Sequence, residues 1–335
     1  MKFGIFDHVD DSGVGATQFF EDRLNLVEAL DRLGFHAYHV AEHHGTPLGM
    51  SGSPNVYLSS VAQRTKRLRF GPLVYLPVMY HPLRLAEEVA MLDHLSHGRL
   101  EMGVGRGAVF IEQQSFGVNP DEVPERYNEA RDILIQALTS DTVNFKGKHY
   151  VFEDFKVMIR PVQQPHPPLW YGLSSPETAV WCAANDVNAV SLAPAARAAV
   201  PFARYREEWD KLGKAPADIP LMGINRHVVV APTEAEARKT AISAYDRWYA
   251  NFSQLWERKG VPTPPVFPTS WEAQEAAGLG VAGPPDKVRE FLADQLKTAG
   301  ATYLVGQMIF GDIPYQGALQ SLEMFAKEVA PGLGG

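Results

Sequence analysis

The chain has 335 residues, and 31 Lys and Arg against 39 Asp and Glu give a formal net charge of −8. This length suffices for one elaborated barrel domain over residues 1–335, because a plain (β/α)8 barrel needs about 250 residues. The negative charge offers no general attraction to polyanions, so we expect neither nucleic acid nor an anionic membrane as a partner. One cysteine, no signal peptide and no apolar run of about 18 residues predict a cytoplasmic protein.

Strand and helix signals alternate along most of the chain, which is the pattern of a parallel α/β architecture. Strands are predicted at about residues 2–7, 37–41, 68–76, 99–104, 168–173, 187–192, 220–230 and 301–308. Apolar residues at helical spacing predict helices between them, and the first helix, at about 17–33, ends at Gly34. The sequence therefore predicts a TIM (β/α)8 barrel.

Two insertions interrupt this alternation, one after strand 4 and one after strand 7. Residues 108–167 contain one predicted helix, at about 123–138, and then a hairpin that turns on Lys146-Gly147. A proline-dense segment leads from this hairpin into the fifth strand. We expect the first insertion to carry little more regular structure than these two elements.

The second insertion covers residues 231–285. It begins as an amphipathic helix and continues into the proline-rich segment 261–268, where regular structure is disfavoured. Its aromatic residues, Trp248 and Trp271 among them, allow two interpretations that the sequence leaves open. Either they cover an aromatic ligand as part of a lid, or they dock the insertion on the barrel.

Glu42-His43-His44 follows the short apolar strand at 37–41. The carboxyl ends of barrel strands carry the chemistry in this architecture, and an imidazole changes its charge near neutral pH. A metal ligand, a general base and a structural histidine are the three candidate roles. We expect no metal, because His36, His39 and His43 lack the spacing of paired metal ligands.

The apolar third strand includes Leu73-Val74-Tyr75. A wall of such residues at the barrel rim suits a flat hydrophobic ring, although the same pattern is typical of any buried strand. At the end of the fourth strand lies Gly103-Val104-Gly105-Arg106-Gly107. Its glycines let the backbone approach a ligand closely, and Arg106 offers a guanidinium to a phosphate or to the polar edge of a ring.

With Ala108 the glycine-rich segment also matches the loose dinucleotide fingerprint Gly-x-Gly-x-x-Gly/Ala. That fingerprint opens a helix directly and belongs to the first βα unit of a doubly wound domain. Here it falls in the fourth unit and no clear helix start follows it. The dinucleotide interpretation is therefore disfavoured.

Ser174-Ser175-Pro176-Glu177-Thr178 stands between the fifth strand and a predicted helix. Serine is a preferred N-cap, proline suits the first helical position, and Thr178 lies one turn inside the helix. Backbone N–H groups and hydroxyls therefore converge at the positive end of a helix, where an anion is stabilised. An ordinary capped helix without a ligand has the same pattern.

Taken in order, these segments resemble the bacterial luciferase-like, flavin-dependent monooxygenase superfamily. The resemblance extends along nearly the whole chain, and the order and spacing of the motifs make it specific. It is carried by Met1–Gly4, Gly34-Phe35, Glu42-His43-His44, His81-Pro82, Arg84–Glu88, Leu92–Leu100, Gly103–Gly107, the hairpin with its proline-rich exit, and Gly283–Val288.

The resemblance implies a two-component monooxygenase. Reduced FMN would lie over the barrel mouth, react with O2 to a C4a-(hydro)peroxide, and oxygenate a small organic substrate, aromatic or carbonyl-containing. A separate NAD(P)H:flavin reductase would supply the reduced flavin, and the chain would form a homodimer. A deazaflavin-dependent dehydrogenase and a non-catalytic flavin-binding protein on the same fold are the alternatives.

The resemblance also implies roles for individual residues. His43 matches the active-site histidine of the superfamily, and the wall beneath the flavin ring corresponds to Leu73-Val74, where relatives carry a non-prolyl cis peptide. The expected cofactor-binding residues are Leu73, Val74, Arg106, Ser174, Ser175 and Thr178. The residues expected to line the substrate pocket or its lid are His8, Glu42, Tyr75, Trp248 and Trp271.

Overall fold

The computed structural model describes residues 1–334, and eight of its strands form a parallel barrel. All the strands in chain order are β1 (Lys2–Asp7), β2 (Ala37–Val40), β3 (Arg69–Pro72), β4 (Met102–Gly103), β5 (Thr142–Lys146), β6 (Val151–Lys156), β7 (Leu169–Gly172), β8 (Asn188–Ser191), β9 (Met222–Val230), β10 (Gly280–Gly283) and β11 (Tyr303–Gln307). The parallel order around the barrel is β3-β2-β1-β11-β9-β8-β7-β4. Single bridges from Phe70 to Leu100 and from Tyr75 to Val104 nearly close it, which confirms the predicted α/β barrel.

Helices connect these strands. They are α1 (Ala16–Leu33), α2 (Pro54–Arg64), α3 (Pro82–Leu95), α4 (Phe110–Ser115), α5 (Val123–Thr139), α6 (Pro176–Ala184), α7 (Ala195–Lys211), α8 (Glu234–Arg258), α9 (Trp271–Ala276), α10 (Pro285–Ala299) and α11 (Tyr315–Met324). As predicted, α1 ends at Gly34, whose φ of +82° is a conformation that glycine adopts without a steric penalty. Within residues 1–334 no helix combines the length and the apolarity needed to cross a lipid bilayer.

β3 and β4 are shorter than predicted because they pair with each other only through the single bridges from Phe70 to Leu100 and from Tyr75 to Val104, which extend neither strand. The two backbones also approach each other closely. A side chain at Gly71 would collide with the backbone of Glu101, and a Cβ at Gly103 would lie 3.1 Å from the Cα of Leu73. After Pro72, Tyr75 still bridges to Val104, and the chain then turns through a short 3-10 helix at 77–79. Glycine at positions 103 and 105 is therefore needed for the packing of this barrel wall, whether or not a ligand binds there.

The segment between β4 and β7 contains α4, α5 and the antiparallel pair β5–β6. The predicted hairpin is present, but its turn covers residues 147–150 rather than Lys146-Gly147. The reason is the carboxylate of Glu129 on α5, which accepts the backbone N–H groups of Lys148, His149 and Tyr150 at 2.7–3.1 Å. These bonds hold a wider loop open around the carboxylate.

The segment between β9 and β11 contains α8, α9, β10 and α10. β10 pairs with β9 outside the barrel order, and its sequence Gly-Val-Ala-Gly gave no strand signal because it is short and poor in β-branched residues. Trp248 and Trp271 are fully buried in one apolar cluster with Phe310. Of the two interpretations of these tryptophans, the structure supports docking of the segment on the barrel.

The barrel interior is filled in layers along its axis. We call the residues His39, Glu101, Trp170 and Tyr303, near the amino ends of the strands, the floor. A Cβ at Gly4 would collide with the hydroxyl of Tyr303, so glycine is needed there for the floor to pack. Above it lies an apolar layer that includes Phe6, Val190 and Val305. We call the residues His8, His43, His227 and Gln307, at the carboxyl ends, the mouth.

Candidate active site

His43 and Glu112 form an acid–imidazole pair at the mouth. His43 follows β2 and Glu112 lies on α4, so only the folded barrel brings them together. His43 Nδ1 lies 3.0 Å from Glu112 Oε1, which also accepts the backbone N–H of His44 at 3.1 Å. Because the buried carboxylate accepts both bonds, His43 holds a proton on Nδ1, and Nε2 is the nitrogen left to exchange a proton with a ligand.

A second acid–imidazole pair fixes the loop that carries His43. Glu42 is buried, accepts the backbone N–H of Leu76 at 3.0 Å and contacts His44 Nε2 at 3.0 Å. The His44 ring also packs on Phe116, with 4.5 Å between ring centroids. Glu42 and His44 therefore anchor the loop on both sides of His43 and leave the His43 side chain 20 % exposed.

His8, the residue after β1, lies beside His43 at the mouth. The two rings are stacked, with centroids 5.8 Å apart and 21° between their planes. Trp248 Nε1–H donates to His8 Nδ1 at 3.3 Å, and Gln307 Nε2 lies 3.0 Å from the same atom. Burial, followed by the nearby His43 and His227, lowers the pKa of His8 well below its usual range. His8 is therefore neutral near pH 7.

A cavity of about 540 Å³ opens at the carboxyl ends of the strands, within the size range of small-molecule sites. Its walls are largely apolar and include Phe6, Val190 and the Leu73–Val74 segment after β3. The peptide bond between Leu73 and Val74 is cis, which confirms the expectation from the resemblance. Val266 of the proline-rich segment reaches the same cavity from the outside.

One end of the cavity is polar. Ser174 and Thr178 line it beside Arg106, which has no carboxylate within 4 Å among residues 1–334. Ser175 does not line the cavity but caps α6: its Oγ accepts the backbone N–H of Thr178 at 3.3 Å and lies 3.2 Å from Thr178 Oγ1. The positive end of α6, a guanidinium and hydroxyls thus converge where an anion would be stabilised.

The imidazole pair and the cavity share structural supports. Phe6, in the cavity wall, packs edge-on against His8 at 4.8 Å, and His8 in turn stacks on His43. On the other side, the Gln113 side chain donates to the carbonyl oxygen of Arg106 at 3.0 Å. Since Gln113 follows Glu112 on α4, the loop that lines the polar end and the partner of His43 are held by one helix.

Neither His8 nor His43 lines this cavity, and the other predicted pocket residues lie outside it as well. Tyr75 is fully buried, and its hydroxyl donates to Asn55 in the core between the barrel and its helices. Trp271 is fully buried against Tyr245. Trp248 reaches the site through its hydrogen bond to His8, and Glu42 through His44. Each of the two tryptophans and Tyr75 therefore acts as packing, and only Trp248 contacts an imidazole of the mouth.

Sequence reasoning missed Glu112, which holds His43. The residue lies in Phe110–Ser115, a short helix without a side-chain cap or an apolar period, so no local pattern separates it from other surface acids. Gln307 was missed for a similar reason, since it ends a strand whose other residues are apolar. The available signal was topological: Gln307 is the last residue of β11, and Glu112 lies in the connection that follows the carboxyl end of β4.

The model of the luciferase-like monooxygenase family matches residues 1–303. The chain belongs to this family. The resemblance inferred from the motifs is thereby confirmed, and the monooxygenases among its relatives support an oxidoreductase. Sequence similarity extends along the whole chain to the uncharacterized protein y4wF of Sinorhizobium fredii, with 42 % identity over 334 residues that cover 100 % of this chain and 98 % of that protein.

Relatives that are named for an activity are less similar to this chain. The oxygenase component of the flavin-dependent trigonelline monooxygenase of Acinetobacter baylyi is 26 % identical over 267 residues, covering 76 % of this chain and 74 % of that protein. Monooxygenase RslO1 from Streptomyces bottropensis has a TM-score of 0.89 at 26 % identity, with 100 % of both chains covered. An F420-dependent secondary alcohol dehydrogenase shares the fold, with a TM-score of 0.74 at 18 % identity and 100 % and 99 % coverage.

Proposed function

We propose that this luciferase-like protein is the oxygenase of a two-component system that uses reduced FMN and O2 to oxygenate a small organic substrate. One observation carries the proposal. An imidazole whose Nδ1 is held by a buried carboxylate stacks on His8, and His8 packs on Phe6 in the wall of a cavity that has an apolar side and an anion-binding end. A binding protein without catalysis has no need for such a base.

The residues present fit a flavin mononucleotide. Leu73 and Val74 offer an apolar surface to a planar ring, and Ser174, Thr178 and Arg106 offer hydroxyls and a positive charge to its phosphate, with Ser175 holding the helix end. When bound and reduced, the flavin would supply the two electrons that activate O2, so that one oxygen atom of O2 enters the substrate and the other leaves as water. We extend this assignment to FMN rather than a deazaflavin because the polar end suits a compact phosphate.

The chain's own groups then control protons and water. His43 accepts or returns a proton at Nε2, while Glu112 keeps Nδ1 protonated and the ring oriented. Val266 and α8 cover the outer side of the site and limit the access of water. We assign residues 108–167 and 231–285 as insertions into a single barrel domain, of which the second acts as the cover.

The partners follow from the same proposal. A separate NAD(P)H:flavin reductase would supply the reduced flavin, and the support for this partner is that the trigonelline relative is named an oxygenase component. We place the protein in the cytoplasm, as a homodimer, with O2 and a small molecule as its substrates.

The test of function is coupled turnover. The protein is assayed with a flavin reductase, NADH and a panel of ketones, alkenes and phenols under ¹⁸O2, and product and H2O2 are both measured. We expect ¹⁸O in a product, and we expect His43→Ala to lower product per NADH about 100-fold while H2O2 rises. His94→Ala, an exposed histidine on α3, is the control. If no product carries ¹⁸O, the monooxygenase proposal fails.

The cofactor is tested by binding. We expect FMN to bind more tightly than riboflavin. Arg106→Gln should reduce the ratio of the two dissociation constants about tenfold, because the charge acts on the phosphate alone. Arg84→Gln, which changes an exposed arginine on α3, should leave the ratio unchanged. Tighter binding of coenzyme F420 than of FMN would favour the dehydrogenase instead.

A further inference from the structure

The two stacked imidazoles of the mouth hold their protons on different nitrogens. Trp248 Nε1 is only a donor, so the atom it contacts, His8 Nδ1, must be an acceptor. The neutral His8 ring therefore carries its proton on Nε2. In His43 the proton that the protein fixes is on the other nitrogen, because Nδ1 donates to Glu112. The assignment of His8 does not depend on the orientation of the Gln307 amide, which adds a second donor to the same atom.

The N–H of His8 has no use within the protein. His8 is 6 % exposed, and its Nε2 has no hydrogen-bond partner among the described residues. This N–H is not sealed from solvent, so the acceptor oxygen of a ligand can bind it without displacing a protein partner. His8 is also fixed on both sides, by Phe6 edge-on at 4.8 Å and by His43 in the stack.

From this arrangement we propose that His8 donates a hydrogen bond from Nε2 to an oxygen of the substrate, so that the site selects carbonyl compounds over hydrocarbons of the same shape. This inference rests on the proposed function, since it assumes that the substrate occupies the mouth. It gives the two histidines separate roles: His8 positions the substrate oxygen, and His43 handles the proton. A ketone or quinone offers the required acceptor, whereas an alkene offers none and leaves the N–H unpaired.

His227 provides a useful contrast inside the same barrel end. Its Nδ1 lies 3.0 Å from Gln274 Nε2, so it carries the same type of bond as His8. Its Nε2 is completely buried without a partner, whereas Nε2 of His8 is not among the sealed polar atoms of residues 1–334. Of these two histidines, His8 alone combines the fixed proton with an Nε2 atom that is not sealed by protein.

The experiment uses acetophenone and α-methylstyrene, which differ only in the replacement of a carbonyl oxygen by CH2. Dissociation constants for the FMN-loaded protein are measured from the absorbance change of the oxidised flavin, without turnover. We expect at least a tenfold preference for acetophenone. His8→Phe keeps a planar ring without a donor and should reduce the preference below threefold, and His8→Gln, which keeps an N–H, should restore most of it.

A second readout needs neither flavin nor reaction. In protein labelled with ¹⁵N-histidine, His8 should show a protonated Nε2 and an unprotonated Nδ1 at pH 7, with its signals assigned by their loss in His8→Gln. Acetophenone should shift the Nε2 signal, and α-methylstyrene should not.

Two results would overturn the proposal: an equal preference for acetophenone in His8→Phe and in the unaltered protein, or equal effects of both probes on Nε2 with and without FMN. Because binding is measured on oxidised flavin, a loss of carbonyl preference is distinguishable from a failure to oxygenate. The latter contradicts only the monooxygenase proposal and appears in the ¹⁸O assay.

Discussion

The floor and the mouth of the barrel contain the same kinds of buried side chains, but the two ends use them differently. At the floor, Glu101 accepts hydrogen bonds from Trp170 and Arg69, and His39 Nε2 lies 3.0 Å from the Tyr303 hydroxyl. Both His39 and Tyr303 are fully enclosed by protein. At the mouth, the Glu112–His43 pair leaves one ring nitrogen facing a partly exposed side.

Whether a ring nitrogen is sealed by protein distinguishes the structural His39 from the histidines of the mouth more clearly than the burial of the whole side chain does. The imidazoles of His39 and His8 are both neutral near pH 7, because burial is the main cause that lowers the pKa of each. At the mouth, by contrast, hydrogen bonds fix the ring protons of His8 and His43, and each of these rings keeps one nitrogen that protein does not seal. The following predictions test this distinction, from the largest expected effect to the smallest.

The floor carboxylate should matter for stability alone. Glu101→Gln removes the charge that faces Arg69 and leaves the guanidinium without its anionic partner, so we expect the free energy of unfolding to fall by about 3 kcal/mol. Urea denaturation measures this change. FMN affinity and turnover per folded molecule should stay within twofold, and a selective loss of turnover would contradict the separation of the two ends.

The mouth carboxylate should matter for catalysis. Glu112→Gln no longer fixes the proton of His43 on Nδ1, so we expect coupled turnover to fall by about tenfold to a hundredfold and its pH profile to shift. FMN affinity should change little, since Glu112 does not line the cavity. Turnover and a pH profile like those of the unaltered protein would remove Glu112 from the mechanism.

The floor histidine should make the protein sensitive to acid. Burial lowers the pKa of His39 from 6.5 to about 3, so between these values the unfolded chain binds a proton that the folded chain does not. Its contribution to stability is complete above pH 6.5 and is lost as the pH falls, at about 1.4 kcal/mol per pH unit.

His39→Gln should therefore reduce the slope of the unfolding free energy against pH by that amount between pH 6 and 4. Urea denaturation at several pH values measures the slope. His94→Gln, at an exposed position, should leave it unchanged. An unaltered slope in His39→Gln would mean that the floor histidine is already charged in the folded protein.

The smallest expected effect concerns the cover of the cavity. Val266→Ala shortens a side chain that reaches the cavity from the proline-rich segment, so water gains access and the H2O2 released per NADH should rise about twofold. Val200→Ala on α7, at a similarly exposed valine, is the matched control. Equal H2O2 release in both variants would show that this segment does not act as a cover.

Sequence patterns predicted the barrel because its strand and helix periods are local properties. They identified His43 and the end of α6 for the same reason, since an acid–imidazole cluster after a strand and a capped helix are legible in short segments. They did not predict the hydrogen-bond partners of His39 and His43, because Tyr303 and Glu112 come from distant parts of the chain. Tyr75 lies in the core for a comparable reason, since its hydroxyl meets Asn55 only in the fold.

A structure of the protein with FMN bound tests the central claim most directly. We predict the flavin ring against Leu73–Val74, its phosphate among Arg106, Ser174 and Thr178, and the His43 ring beside the flavin with Nδ1 still on Glu112. A flavin bound elsewhere, or a His43 ring turned towards solvent and away from Glu112, would contradict the account.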